Sequence, residues 1–130
     1  MTVDYLIELL TGCEYLKEFN IGTGFLSEKT NSVSVVYNGN NDVIRKYCDG
    51  AKIKALDFSL IIRLSSSFGD NSRNIAFLEQ LANSLPSLRL SKATDFIPIG
   101  IEVNKGPMLS DDNIHSLKYE INCRFIYLQE

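Results

Sequence analysis

The sequence has no long hydrophobic run, and its longest uninterrupted aliphatic or aromatic stretch is four residues, 125–128. A helix that crosses a bilayer needs about 20 apolar residues. The amino-terminal stretch also lacks the basic start of a secretory signal peptide, and Asp4 and Glu8 interrupt its apolar part. We therefore expect no membrane-spanning segment and synthesis in the cytoplasm.

Positive charge is not in excess either, because 13 Lys and Arg residues stand against 16 Asp and Glu residues, a net charge of −3. Proteins that bind nucleic acid tightly through its phosphates carry a broad basic surface. The balance of charge therefore argues against specific binding of nucleic acid.

Residues suited to metal binding or nucleophilic catalysis are few and scattered. The three cysteines, Cys13, Cys48 and Cys123, have no CxxC spacing, and their odd number argues against a closed set of disulfides. We expect them to be reduced and buried as small apolar groups. His115 is the single histidine, and no motif surrounds it. The sequence thus predicts no metal site, no cofactor and no catalytic residue.

The composition is that of a globular protein. Hydrophobic residues make up 45% of the 130 positions and charged residues 22%, both close to the averages for soluble domains. A chain of this length can bury a core of its own. We therefore expect residues 1–130 to form a single domain.

Two amphipathic helices are predicted from apolar residues that recur every three or four positions. The first covers residues 3–17, although Gly12 favours an earlier end. The second begins after a polar stretch in which Asp70 or Asn71 can cap the helix. It ends at Pro86, because proline has no amide hydrogen to donate.

Six β-prone stretches are predicted from alternating apolar and polar residues. Asp49-Gly50, between the third and the fourth, is a strong hairpin signal, and Pro98 places the fifth at a sheet edge or gives it an irregular start. Polar segments at 38–41, 104–107 and 110–113 are predicted turns or loops. The six stretches are residues 23–27, 32–37, 43–48, 54–64, 97–103 and 117–127.

The predicted order is helix, four strands, helix, two strands. Two helices of about four turns cannot bury their apolar stripes on each other alone. The sequence therefore predicts an α+β fold, with two helices packed on one side of a mainly antiparallel sheet.

The last predicted strand is apolar on both faces near its end. Alternate residues from Leu117 to Tyr127 form one apolar face, whereas Ile126 and Leu128 fall on the opposite, otherwise polar, face. A lone domain explains this poorly. We predict that another element of the chain or a neighbouring subunit covers Ile126 and Leu128.

A basic hairpin is predicted around Asp49-Gly50, where Arg45, Lys46, Lys52 and Lys54 cluster. Such charges can be solvated and discourage pairing at the sheet edge, or they can meet an acidic partner. Both interpretations stay open. Together with Ile126 and Leu128, these four residues form the candidate interface.

The order of elements and several segments resemble a family of small proteins from tailed phages and prophages of Gram-positive bacteria, the minor capsid or tail terminator proteins. The segments that carry the resemblance are the hairpin 46–50, the strand with Phe58, the helix region 68–85 with Asp70, Arg73 and Asn74, and above all the ending 123–130.

This resemblance implies a structural virion protein and not an enzyme. Subunits of the family assemble into a ring, commonly a hexamer, at the head-proximal end of the tail tube, where the ring stops tube polymerisation and joins the tail to the head. The implied partners are further copies of the chain, the tail-tube protein, and sheath or neck proteins. DNA passes through the lumen, and no membrane is involved.

A second hypothesis is a small enzyme or ligand-binding domain that uses His115, Asp111 or Asp112 at a loop edge. Adjacent carboxylates in a polar loop are more often turn and cap residues. A deep pocket lined by these three side chains would favour the second hypothesis over the first.

Overall fold

The computed structural model describes residues 2–16, 19–23, 32–65, 70–88, 90, 93, 95–112 and 116–129. These residues form two α-helices, each followed by a short 3-10 helix, and one sheet of five strands. The helices are α1 (Thr2–Thr11) and α2 (Asp70–Ser84). The strands are β1 (Asn20–Thr23), β2 (Ser32–Lys46), β3 (Lys52–Ser65), β4 (Ile97–Asp112) and β5 (Ser116–Gln129). The predicted α+β class is confirmed.

The sheet has the strand order β1-β2-β3-β5-β4. Only β1 and β2 run parallel, and the other neighbouring pairs are antiparallel. The centre of the sheet is the pair β3 and β5, which stays in register from Lys52 opposite Gln129 to Ser65 opposite Ser116. This pair therefore forms the longest uninterrupted ladder of the sheet, whereas the β2–β3 and β4–β5 pairs contain register shifts.

Both helices pack on one face of this sheet, as predicted. Helix α1 contributes Leu6 and Leu10 to the core, and α2 contributes Leu78 and Leu81, all four with no solvent exposure. They meet alternate residues of the strands, which is the arrangement that period-2 side-chain alternation allows. The strand residues of this core face are Val33, Val35, Leu56, Phe58, Leu60, Ile62, Leu64, Ile101, Tyr119, Ile121, Cys123, Phe125 and Tyr127.

The first helix is shorter than predicted. It ends at Thr11, and the amide of Gly12 still donates to the carbonyl of Glu8 at 3.2 Å. A 3-10 helix at Glu14–Leu16 follows, and it brings Cys13 and Leu16 into the core. The apolar spacing was therefore right, while the glycine ended the regular helix early.

The end of the second helix matches its prediction. It ends at Ser84, directly before a 3-10 helix, Leu85–Ser87, that contains Pro86. Proline fits the first turn of a helix because its missing amide hydrogen is not needed there. Leu85 is buried and closes the core at this end.

Two of the predicted strands are one strand, β2, so three strands rather than four separate the helices. Tyr37 lies opposite Phe58 and Asn41 lies opposite Leu56, so four positions of β2 span two of β3. The predicted turn at 38–41 is thus an irregularity within the strand. Asn and Gly tolerate the backbone angles that such bulges need.

Strand β4 is also longer than predicted, because the expected turn at 104–107 lies inside it. Register shifts between Val103 and Lys105, and between Lys105 and Met108, absorb the extra residues. The expected loop at 110–113 continues as strand to Asp112, and position 113 lies outside the described residues. Its partner β5 is unbroken, and β4 follows it along its whole length. Pro98 lies in this edge strand, as predicted.

The first strand was predicted at 23–27, of which only Thr23 lies within the described residues. Thr23 ends β1, whose partner residues in β2 run from Ser32 to Val35.

Candidate interaction surface

The strands β3, β5 and β4 present a second face, opposite the core. On β5, core-face residues such as Phe125 are fully buried, whereas Ile126 and Leu128 on the second face are only half-buried. Within the described residues, the helices contribute to the core face and not to this one. The predicted placement of Ile126 and Leu128 on the opposite face follows directly from the strand register.

The middle of the second face is polar, and its residues pair across the strands. The Arg124 Nε lies 2.9 Å from the Asp57 Oδ1 in an ion pair. One step further along, the Ser59 hydroxyl donates to the Asn122 Oδ1 at 2.7 Å. These contacts satisfy the polar groups without any external partner.

The end of the second face is apolar. Ile53 lies opposite Leu128, which in turn lies opposite Ile97. The next row is made by Ala55, Ile126 and Gly100. Three neighbouring strands therefore contribute to one continuous apolar area, at the end of the sheet where β5 finishes.

This area continues into an open groove of about 630 Å³, which we call the terminal groove. Ile97 and Ile99 are its most exposed aliphatic side chains, with 51% and 50% of their surface accessible. Large apolar side chains that stay half in water are candidates for a binding surface. The groove is lined by Tyr47, Cys48, Asp49, Ala51, Ile53, Ile97, Ile99 and Leu128.

The turn between β2 and β3 forms one wall of the terminal groove. Gly50 has a φ of +93°, a conformation that favours glycine. The Tyr47 amide donates to the Ala51 carbonyl at 2.8 Å, and the Ala51 amide donates to the Asp49 Oδ1 at 3.0 Å. The Asp-Gly hairpin prediction is therefore confirmed, and the turn is fixed by its own hydrogen bonds.

The four basic candidate residues lie on this hairpin, beside the terminal groove. Arg45 and Lys46 are exposed, and Lys52 and Lys54 are half-buried. Arg45 lies opposite Ile53 and so belongs to the second face, and its guanidinium carbon is 5.4 Å from the centre of the Tyr47 ring. That distance is within the range of a cation–π contact.

The other three basic residues lie on the opposite side of the same hairpin. Lys46 lies opposite Lys52 on the neighbouring strand, and Lys54 lies opposite Tyr127, which belongs to the core face. The structure therefore brings the six candidate interface residues to one end of the sheet but distributes them over both sides of it.

The candidate interface predicted from the sequence included one residue of the groove, Leu128, and missed the others, among them Ile97 and Ile99. These two belong to the predicted strand 97–103, in which apolar and polar residues alternate, yet of its three isoleucines only Ile101 is buried. A register shift between Pro98 and Gly100 breaks the alternation. The Pro-Ile-Gly sequence was the available signal, since proline and glycine mark irregular strands.

The cysteines divide between the core and the groove. Cys13 and Cys123 are buried, as predicted, but Cys48 is exposed at the hairpin turn, which corrects the prediction that all three are buried. The turn position explains the difference, because it lies beyond the core that α1 and α2 cover. Burial raises the pKa of the Cys123 thiol to about 12.

Two of the three residues of the alternative site lie within the described part of the chain. His115 lies outside the described residues, and Asp111 and Asp112 belong to the end of β4, far along the strand from the terminal groove. Across the described part of the chain, no group of three or more His, Cys, Asp or Glu side chains is arranged to hold a metal ion. No helix among these residues is long and apolar enough to span a bilayer.

No protein-family model matches this chain, and no curated protein matches it.

Proposed function

We propose that this chain is a structural virion protein of the tail terminator type, which forms a ring at the head-proximal end of a phage tail tube. In this role it stops tube polymerisation, joins the tail to the head, and carries out no chemistry. It is made in the cytoplasm of the bacterial host and becomes part of the virion. Its partners are further copies of itself, in a ring that is most simply a hexamer, together with the tail-tube, sheath and neck proteins.

The observation that carries the proposal is the terminal groove. Its apolar residues come from three strands, and Ile97 and Ile99 remain half in water. Fully burying an isoleucine side chain is worth about 1.5–3 kcal/mol, so covering the exposed half of each is worth roughly half of that. An enzyme would instead be expected to gather several titratable groups in such a groove. Among the described residues, Asp49 is the one carboxylate that lines the groove, and it already accepts a hydrogen bond from the Ala51 amide.

The arrangement of the sheet also supports a role in assembly. A ring needs two different complementary patches on each subunit, because each copy contacts the next one head to tail. The terminal groove with the basic hairpin supplies one such patch at one end of the molecule. The resemblance of the ending 123–130 to the tail terminator family concerns the strand that lines this patch.

Electron microscopy with purified tail-tube protein tests the proposal. Added during tube polymerisation, the chain is expected to stop growth and to appear as a cap on one end of each tube. Tubes that grow to the same length with and without the chain, and that carry no cap, would contradict it.

A matched pair of variants links the cap to the groove. Ile99→Asp places a charge in the terminal groove, and Leu109→Asp places the same charge on the same strand outside it. Their exposures are 50% and 47%, so both variants should fold equally well. We expect Ile99→Asp to abolish capping and Leu109→Asp to retain it. Equal capping by the two variants would show that tube capping does not depend on the terminal groove.

A small-molecule binding protein is the second candidate, and the volume of the groove favours it. A space of about 630 Å³ lies within the range of ligand sites. The hypothesis predicts that an apolar dye, 8-anilinonaphthalene-1-sulfonate, binds with one-to-one stoichiometry, and that the substitution Ile99→Asp abolishes this binding. It also predicts that Ile99→Asp leaves tube capping intact, the reverse of the first proposal.

A further inference from the structure

The basic hairpin carries charge of the opposite sign to the rest of the chain. Between positions 45 and 54 there are four basic residues and one acidic residue, so this segment has a charge of +4 − 1 = +3. The whole chain has a net charge of −3, which leaves −3 − 3 = −6 for all other residues. Two copies of the chain are therefore electrostatically complementary when the hairpin of one meets an acidic surface of the other.

The acidic surface that fits best is the outer side of α1. Asp4 and Glu8 are both exposed and stand one helical turn apart, so they project in the same direction. On the described parts of the two α-helices, no other pair of exposed carboxylates has this spacing. Tyr15, just beyond α1, adds an aromatic ring that packs edge-on against Phe77, with 6.3 Å between centroids, and is still 38% exposed.

The two surfaces are different patches of one protomer. Helix α1 packs on the core face of the sheet, whereas the terminal groove and Arg45 lie on the second face, with Lys46 on the other side of the same hairpin. Contacts between two different patches are heterologous, and they produce a ring or a filament rather than a closed pair. This geometry is the one that the proposed function requires.

Pairing of sheet edges is a poorer way to join the copies. Strand β4 forms one edge of the described sheet, and it has four register shifts along its length. Such irregularities disturb the row of hydrogen-bonding groups that a second strand would need. The contact is therefore expected to be made by side chains.

We propose that the basic hairpin and terminal groove of one copy bind the acidic face of α1 in the next copy, with Tyr15 of that copy entering the groove. This inference rests on the proposed function and names its subunit contact. Arg45 and Lys46 supply the exposed charges of the hairpin in one copy, and Asp4 and Glu8 supply those of the helix in the next copy. Since the charges are exposed, the contact weakens as salt is added.

Charge reversal on each side tests the contact. The first variant is R45E/K46E and the second is D4K/E8K. In each double variant by itself, the hairpin and the α1 face carry charge of the same sign. We therefore expect its self-association to be at least about tenfold weaker than that of the natural chain. In an equal mixture the two surfaces are complementary again, so the copies alternate and association should return to within about threefold of the natural chain. Sedimentation velocity over a range of protein and salt concentrations measures this.

Three controls keep the test decisive. The variant R73E/K105E changes the net charge as much as R45E/K46E does, at exposed positions outside the hairpin, and should associate like the natural chain. Circular dichroism establishes that each variant is folded, and the single change Glu8→Lys replaces D4K/E8K if the latter is not. Absence of recovery in the mixture, or equal loss in the R73E/K105E control, would overturn the inference.

The same mixtures are added to growing tail tubes, so that the two proposals can fail separately. If the natural chain caps tubes but the mixture does not regain capping, the contact assigned here is wrong and the proposed function stands. If the natural chain neither self-associates nor caps tubes, both are wrong. Recovery of capping by the mixture supports both.

Discussion

The two faces of strand β5 differ in what covers them, although the strand itself is apolar on both near its end. Phe125 is fully buried between the rings of Tyr5, Phe96 and Tyr127, with centroid distances of 5.5–5.8 Å. Its neighbour Ile126 faces the other way and remains half-buried among the short side chain of Ala55 and the backbone of Gly100. Hydrophobicity therefore does not decide burial, because a second layer is needed to cover the residue.

The polar and apolar parts of the second face also differ. In the middle of that face, polar side chains bind one another through the Asp57–Arg124 ion pair and the Ser59–Asn122 hydrogen bond. The aliphatic side chains at its end can form neither kind of contact. A half-exposed isoleucine can gain only by meeting more apolar surface. The end of the face is therefore the part of the sheet that a partner would stabilise most.

The contrast between the core face and the groove is expected to be largest in the reactivity of the cysteines. Cys123 is buried on the core face, and its pKa of about 12 leaves about one molecule in ten thousand as thiolate near pH 8. Cys48 is exposed in the groove. We therefore expect a disulfide reagent such as 5,5′-dithiobis(2-nitrobenzoate) to modify one thiol in the native protein and three after denaturation.

Replacing Cys48 with serine is the control for this measurement, and should remove the fast reaction. Rapid modification of two or more thiols in the native protein would contradict the expected difference in thiol reactivity between the two faces.

The raised pKa of Cys123 has a further consequence for stability. The unfolded thiol ionises near pH 9.0 and the folded one near 12, so the free energy of unfolding should fall as the pH rises through this interval.

Two adjacent substitutions on β5 compare the faces by their stability. Phe125→Ala removes a fully buried ring from the aromatic cluster and should lower the free energy of unfolding by about 3–5 kcal/mol. Ile126→Ala removes a half-covered side chain and should cost less than about 1.5 kcal/mol. Urea denaturation followed by circular dichroism measures both. Equal losses would show that the second face is covered in solution.

Two serines that face away from the core, Ser59 on β3 and Ser34 on β2, allow a further comparison. Ser59 and Ser34 have 2% and 1% of their surface accessible. The Ser59 hydroxyl donates to Asn122, whereas the Ser34 Oγ has no hydrogen-bond partner among the described residues. Ser59→Ala should therefore lower the free energy of unfolding by about 1 kcal/mol, and Ser34→Ala should leave it unchanged or raise it by up to about 1 kcal/mol.

The same denaturation experiment measures this smaller effect, with the two alanine variants as controls for each other. A loss of stability in Ser34→Ala as large as that in Ser59→Ala would mean that the Ser34 hydroxyl has a partner in solution.

Most elements of the fold could be predicted from the sequence because their signals are local. The alternation in β3 and β5, the Asp49-Gly50 turn and the proline after α2 each reflect the backbone preferences of a few adjacent residues. The turns predicted at 38–41 and 104–107 were wrong for the same reason. Asn and Gly indicate an irregular backbone there, but only a long continuous partner strand makes that irregularity a bulge instead of a reversal.

The candidate surface was predictable in part. The opposite orientation of Ile126 and Leu128 followed from the period of a strand, and the basic hairpin followed from its turn. Ile97, Ile99 and Ile53 could not be added, because nothing in the sequence gives the strand order that places them beside Leu128.

By itself, the sequence determined which residues of each element point the same way, because side-chain direction repeats every two positions in a strand and about every 3.6 in a helix. Only the tertiary structure decided the strand order, and therefore which apolar residues of neighbouring strands meet in the terminal groove. That choice depends on contacts between residues far apart in the chain, and these contacts have no local signal.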